Sequence, residues 1–471
     1  MTDPDIIQLS ATEIAAAVRQ GSLSASTVME AFLRRTAQLE PRLNSYAHFA
    51  PEAARQAAAA VDQRIARGED PGPLAGVPVS VKDLIAVGQM PQAFGSRLFA
   101  GNIAAQDAPA VARLRSAGAC ITGKTTTSEL GSKGVGDSPL TGITRNPWNT
   151  DFTPGGSSAG AASGVAAGLV PVALGTDGGG SIRIPAAFCG LIGFKAQYGR
   201  VPVWPPSATP GLAHVAPLAR NAPDLALLLS VISGPDSRDA SSALGTAPDY
   251  ARALKRPMRG LRIGWCPDFG EGSANDTVLA ACEQTLPQLR ELGCRVVPVA
   301  PWLRGGARAP WEHEFYSGIA QRIAAMPGAL DLIDPALRQQ IAALQTQAPP
   351  ALEAAEQHRA RLRAQLAAVF ERVDVLLSPT LPVSAIAVGC DAPDEWADQS
   401  PVAWSHFTYA INLTGNPAAS VPVGLDRLGL PIGLQVVGQP GDELAVLQLV
   451  AALSAMAPSF ARAAIDRISL S

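Results

Sequence analysis

The sequence predicts an α/β fold, helices layered on a sheet, with a helical insertion in the C-terminal half. Three observations lead there. Strand-like and helix-like runs alternate along most of the 471 residues, the pattern of a layered α/β domain. Apolar residues make up 47% and charged residues 16%, enough for a large core and too little charge for a disordered chain. The alternation breaks only between about Pro301 and Arg372, where helical spacing runs on without strands. The length suits one large α/β unit, taken as residues 1–471.

The elements follow in order. "TEIAAAVRQG" and "ASTVMEAFLRRTAQLE" have helical spacing with polar residues near their starts, and "PEAARQAAAAVDQRIARG" adds a helix stopped by Gly68. These fill residues 1–70. "GVPVSVKDL" is a β-rich run carrying Lys82 at its end; "DAPAVARLRSAG" is a helix closed by Gly118, and "ACIT" a strand. Then come "VPVAL", the helix "APDLALLLSVIS", "LRIGWC", a helix from about Asp276 to Leu292, and "CRVVPVA". After the insertion at 301–372, whose "QAPPA" marks a loop, residues 373–471 return to strands with "VDVLLSP", "AASVPVG" and "PIGLQVVG". Between Asp151 and Asp177 no residue is charged, but Pro154, Pro171 and many small residues make this a buried segment rather than a membrane helix.

Composition narrows the function. A net charge of −3 argues against nucleic-acid or anionic-membrane partners. Cys120, Cys189, Cys266, Cys282, Cys294 and Cys390 form no C-x-x-C pair, so buried free thiols are expected rather than disulfides or zinc. The acidic start "MTDPDIIQLS" has no signal-peptide pattern, and a cytoplasmic location is expected.

Two motifs are look-alikes. "GACITGKT" fits a P-loop, with Lys124 on the phosphates, but a helix precedes Gly118 and the would-be loop reads as a strand. "GSSAG" fits a nucleophile elbow around Ser158, which would make a Ser-His-Asp esterase; yet "NPWNTDFTPG" before it reads as a loop, and no local pattern selects a histidine.

"GTDGGGSIRIP" is different. Amide hydrolysis passes through an oxyanion, stabilised by backbone N–H groups aimed at it in advance. Gly178, Gly179, Gly180 and Ser181 offer such donors beside a hydroxyl, because glycine permits close approach and positive φ. Ser181 is then the candidate nucleophile and needs a base. Lys82 ends an apolar strand, where burial favours the neutral amine. Ser157 sits in another glycine-rich turn, "TPGGSSAG". Asp177 and Arg183 read as a structural ion pair, Cys189 as a packed thiol, and Trp148, Trp204, His406 and Tyr409 as core.

From about Leu74 to Asp239 the chain resembles the amidase signature family of serine hydrolases. The resemblance rests on "PLAGVPVSVKDL", "GKTTTSELG", "DSPLTGITRNPWN", "TPGGSSAG", "GTDGGGSIRIPAAFCGLIGFK" and "GLAHVAPLAR", with weaker matches at "LLSPTLP" and "NLTGNPAASVPVG". Gly178 stands where a threonine is frequent, Ala159 where a glycine is usual, and "KAQYGR" for "KPTYGR". The resemblance implies an α/β/α fold with a large mixed central sheet and a signature core over 71–240. It implies a Ser-Ser-Lys triad: nucleophile Ser181, relay Ser157 on a cis peptide, base Lys82. It implies hydrolysis of a small or aryl amide, with carbamates or esters as further substrates, and no cofactor or metal. The alternative is an A-type amidotransferase subunit that passes ammonia to a partner, against which the segment "SELGSKGVGDSPLTG" counts. The partner expected is a small-molecule amide; a homodimer is left open. Pocket walls are expected from the loop after Lys82, from Leu130 to Ser138, and from the insertion.

Overall fold

The computed structural model describes residues 2–242, 245–346, 352–457 and 460–470. Its strands are β1 (Tyr46–Phe49), β2 (Pro78–Lys82), β3 (Cys120–Thr125), β4 (Asp137–Ser138), β5 (Gly142–Ile143), β6 (Val172–Asp177), β7 (Ile192–Lys195), β8 (His214–Ala219), β9 (Arg262–Trp265), β10 (Arg295–Pro298), β11 (Val375–Pro379), β12 (Ala418–Leu425) and β13 (Pro431–Gly438). One 11-stranded sheet runs β1-β3-β2-β6-β8-β7-β12-β13-β11-β9-β10, and β4-β5 form a separate hairpin. The sheet is mixed, as expected: β2 lies parallel to β3 and β6, while β8 lies antiparallel to β6.

The parallel centre positions the chemistry. Every residue of β2 is buried, as in a strand covered on both faces. Its register with β6 pairs Val79 with Val172 and Val81 with Leu174. The carboxyl ends of β2 and β6 therefore emerge side by side, where ligands bind in open α/β sheets. Lys82 closes β2, and the glycine run follows β6 directly. The uncharged segment contains a helix, Ala159–Ala166, with every residue buried. Its small side chains let it pack deep; a Cβ on Gly160 would collide with the Ser45 carbonyl oxygen.

Most predicted elements stand. The helix expected over Asp276–Leu292 is instead two, Asp276–Glu283 and Thr285–Glu291. Pro287 has no N–H to donate to the Glu283 carbonyl, and its ring would crowd that oxygen in a continuous helix. Strands β1, β4, β5, β7 and β8 add to the predicted set; β4 and β5 have two residues each and β7 four, and His214 and Pro217 interrupt the apolar pattern of β8. The insertion is helical as expected, with Arg308–Ile323, Ala329–Leu332, Pro335–Gln345 and Leu352–Phe370. The loop expected at "QAPPA" lies outside the described residues. Five cysteines are buried and free, but Cys390 is exposed, correcting the expectation of uniformly buried thiols. Among the described residues no helix is long and apolar enough to cross a membrane.

Gly118 shows what the P-loop look-alike is for. It turns the chain between the helix Pro109–Ser116 and β3, with φ +87°, and a Cβ there would strike the Pro71 carbonyl oxygen. Gly118→Ala is expected to destabilise the protein by roughly 1–3 kcal/mol through strain and overpacking, read as a lowered urea midpoint. An unchanged midpoint would remove this account of the glycine.

Candidate active site

Lys82 is fully buried, and its Nζ lies 2.7 Å from Ser157 Oγ, 2.9 Å from Thr176 Oγ1 and 3.0 Å from Ser158 Oγ. No carboxylate lies within ion-pair distance of it among the described residues. Burial pushes the amine well below its ordinary pKa, with the Asp177 charge opposing only in part. An amine among hydroxyls in a dry site is poised to be neutral.

One of its partners goes beyond what the sequence singles out, and another takes a different part from the one its motif suggests. Thr176 precedes Asp177 at the end of β6 and reaches Lys82 only because β2 and β6 are neighbours. Ser158, the elbow candidate, is engaged on every side. Its Oγ accepts from Lys82 Nζ and from the Thr176 N–H at 3.2 Å, and it donates to the Thr176 carbonyl at 3.1 Å. A hydroxyl so occupied and buried is a brace rather than a nucleophile. No described histidine hydrogen-bonds Ser157, Ser158 or Ser181. The nearest to the loop, His214, is bound through Nδ1 to Asp177 and Leu212 carbonyls, and burial pushes it down to about 3. The Ser-His-Asp arrangement is therefore not formed.

Ser157 follows a cis peptide from Gly156. Ser157 and Ser181 line one cavity of about 360 Å3 together with Thr176 and Gly178, within the size range of small-molecule sites. Their hydroxyls are not hydrogen-bonded to each other; catalytic hydrogen bonds often tighten only around substrate.

The glycine loop is fixed from beneath and outside. Asp177 and Arg183, both fully buried, pair through two contacts of 2.9 and 3.0 Å. Burial alone would raise the Asp177 carboxyl, yet Arg183, Lys195 and Asn412 hold it well below the usual range. Asp177 in turn accepts the N–H of Gly180 at 2.8 Å and of Ile182 at 3.3 Å. From outside, Trp311 Nε1 donates to the Gly178 carbonyl at 2.8 Å and Thr408 Oγ1 to the Gly179 carbonyl at 2.6 Å. This corrects one expectation: the Gly180 N–H is occupied by Asp177 and is not free for an oxyanion. The N–H groups of Gly178, Gly179 and Ser181 have no acceptor among the described residues. Gly180 is needed for shape instead, with φ +126° and no room for a Cβ beside Thr408.

The cavity walls include Leu84 and Ile85 after Lys82 and Phe315 and Ile319 from the insertion, while of the expected segment Leu130 to Ser138 only Leu130 and Gly131 line it. Trp204, expected in the core, lines the cavity as well. Trp148 is core, donating to the Cys189 carbonyl at 2.8 Å, and Tyr409 stacks on Trp311 with ring centres 5.6 Å apart. His406 is buried against Phe407 and pushed down to about 4 by burial. Lys124 is buried beside Asp83 at 3.5 Å; burial lowers its amine to about 8, Asp83 opposing, and it faces no phosphate site. Among the described residues no group of acidic, histidine or cysteine side chains could hold a metal ion.

The chain matches the Amidase family profile over residues 27–304 and 323–447. It is 34% identical over 469 residues to an acylamidase of Rhodococcus erythropolis, covering 97% of each chain. It is 36% identical to the A-type subunit of the glutamyl-tRNA(Gln) amidotransferase of Synechococcus sp. strain RCC307, covering 92% of this chain and 94% of that one. A bacterial aryl acylamidase of the amidase signature family superposes with a TM-score of 0.91 at 31% identity, over 97% of this chain and 98% of the other. The hydrolase of 6-aminohexanoate cyclic dimer superposes with a TM-score of 0.88 at 28% identity, over 97% and 98% of the two chains. With the fold, the profile and the relatives in agreement over nearly the whole length, this chain belongs to the amidase signature family and is an amide-hydrolysing enzyme.

Proposed function

We propose that the enzyme cleaves the C–N bond of a small or aryl carboxamide through an acyl-enzyme on Ser181, with Ser157 as proton relay and Lys82 as base. The observation that carries this is the 2.7 Å contact between a buried, carboxylate-free Lys82 Nζ and Ser157 Oγ, in a cavity that also exposes Ser181. Neutral Lys82 accepts the Ser157 proton as Ser157 takes that of Ser181. The Ser181 oxygen attacks the carbonyl carbon, and the N–H groups of Gly178, Gly179 and Ser181 receive the oxyanion. Collapse expels the amine, which takes a proton from Ser157, itself reprotonated by Lys82. Water then cleaves the acyl-enzyme by the same relay. Residues 1–471 act as one catalytic unit in this reading.

The cavity favours an apolar or aromatic group, in keeping with the acylamidase and aryl acylamidase relatives. Carbamates and esters share the tetrahedral chemistry and are expected as further substrates. The second reading, an A-type amidotransferase component, draws on the 36% identity to such proteins. Against it, among the described residues the cavity lining carries no Asp or Glu to meet the ammonium of a free amino acid. Stable co-purification with partner subunits would favour the second reading.

Ser181→Ala is expected to fold and to lose several orders of magnitude in kcat. A fluorophosphonate probe should label Ser181, and label on Ser158 would restore the elbow assignment. The pH dependence follows from Lys82. Its pKa is lowered by burial, and only the neutral form accepts a proton, so activity falls as pH drops through that pKa and levels off above it. The acid limb should lie well below the pH of about 10.4 at which a free lysine titrates. Lys82→Arg should not restore activity, since a guanidinium keeps its proton at any usable pH. Near-normal turnover by Lys82→Arg would assign the base elsewhere.

A further inference from the structure

Among the described residues Arg322 is the one permanently charged side chain in the cavity lining, which otherwise combines apolar and aromatic groups such as Leu84, Phe94, Phe99, Leu130 and Phe315 with neutral polar ones. His214 also lines it, but burial keeps that imidazole neutral at pH 7. Arg322 is half-buried and forms no ion pair among the described residues. Its Nη2 donates to the Pro206 carbonyl at 2.7 Å, and its guanidinium stands 5.7 Å from the centre of the Phe94 ring. Those contacts fix the group without neutralising it. A guanidinium has five N–H donors, and one carbonyl and one ring leave most of them unused. Burial lowers its pKa with no acidic neighbour offsetting the penalty. A cation half-withdrawn from water costs free energy unless something pairs with it, and its unused donors line the cavity.

The helix that carries Arg322 points the same way. Arg308–Ile323 supplies Phe315, Ile319 and Arg322 to the cavity wall and sends Trp311 to the Gly178 carbonyl. It falls almost wholly in the stretch between the two blocks that match the family profile, 27–304 and 323–447. The strands that carry Lys82 and the glycine loop lie inside the matched blocks and this helix lies largely between them, which is where substrate choice is expected to reside.

We infer that Arg322 reads an anionic group on the part of the substrate filling the cavity, so that preferred substrates are amides with a carboxylate on an apolar or aromatic frame. This rests on the Ser181 reading above and deepens it. Binding is a bidentate or single charge-assisted contact in a partly dry site, which favours the anionic substrate over a neutral isostere by on the order of tenfold to a hundredfold.

Two substrate pairs test it, one for each half of the amide that the cavity could hold. They are 4-acetamidobenzoate against 4-acetamidotoluene, and 4-carboxybenzamide against 4-methylbenzamide. The wild-type enzyme should favour the carboxylate member of at least one pair, chiefly through KM, and the ratio of kcat/KM values should shrink as salt is added. Arg322→Gln should bring that ratio to about one, Arg322→Lys should keep part of it, and Arg322→Glu should invert it toward a 4-aminomethyl analogue. Should Arg322→Gln not fold, Arg322→Lys and the salt dependence of the wild type carry the test. No carboxylate preference in either pair, or a preference that survives Arg322→Gln, overturns the inference. Turnover of both members by Ser181→Ala would instead overturn the nucleophile assignment, a separate failure that the ratio does not report.

Discussion

A lysine amine withdrawn from water and given hydroxyls instead of a carboxylate is the constraint on which the site depends. Lys82 is placed at the end of a fully buried strand, and its contacts at 2.7–3.0 Å are to Ser157, Ser158 and Thr176. An ion pair there would stabilise the ammonium form. Three hydroxyls satisfy the nitrogen's hydrogen-bonding capacity while leaving the desolvation penalty on the charged form in place. The same hydroxyls come from two different segments, so the amine also ties the serine turn to the end of β6.

The glycine loop after β6 receives the opposite treatment. A glycine run has little conformational preference of its own and loses more entropy on ordering than any other sequence. Asp177 and Arg183 form a buried ion pair whose carboxylate also takes the Gly180 and Ile182 N–H groups. Removing one partner of such a pair typically costs about 3–5 kcal/mol, because the other is left charged and unpaired. Charge is thus used to hold the loop and withheld from the Lys82 amine. Trp311 and Thr408 complete the restraint by holding the Gly178 and Gly179 carbonyls.

The walls of the cavity come from segments far apart in sequence, and they are unevenly legible there. The loop after Lys82, Leu130 and the insertion can be read, since long apolar segments beside a glycine-rich site have few other places to go. Trp204 cannot, because an aromatic residue beside prolines reads equally well as packing. Gly180 escapes for a related reason. A run of glycines announces available N–H groups, but which of them is spent on a side chain three residues back depends on how Asp177 turns. Thr176 carries a hydroxyl too common for its residue type to single it out, and Ser158 stands out in sequence only through an elbow motif whose context fails.

What the sequence by itself determined is whatever local chemistry writes into contiguous residues. Alternating strand and helix runs specify the α/β layering, "PVSVK" places an amine at the end of a buried strand, and "GTDGGGS" sets a hydroxyl after a flexible turn. The failed P-loop context around Gly118 is equally local, because a helix before it and a strand after it are visible in periodicity. Strand order was decided only in three dimensions. Lys82 and Thr176 meet because β2 and β6 pair in parallel in the register Val81 with Leu174, and Ser157 joins them because a small-residue helix packs deep enough to bring its preceding turn to both. Register and neighbour choice are settled by the burial of both sheet faces at once, a global balance to which no short stretch of sequence has access.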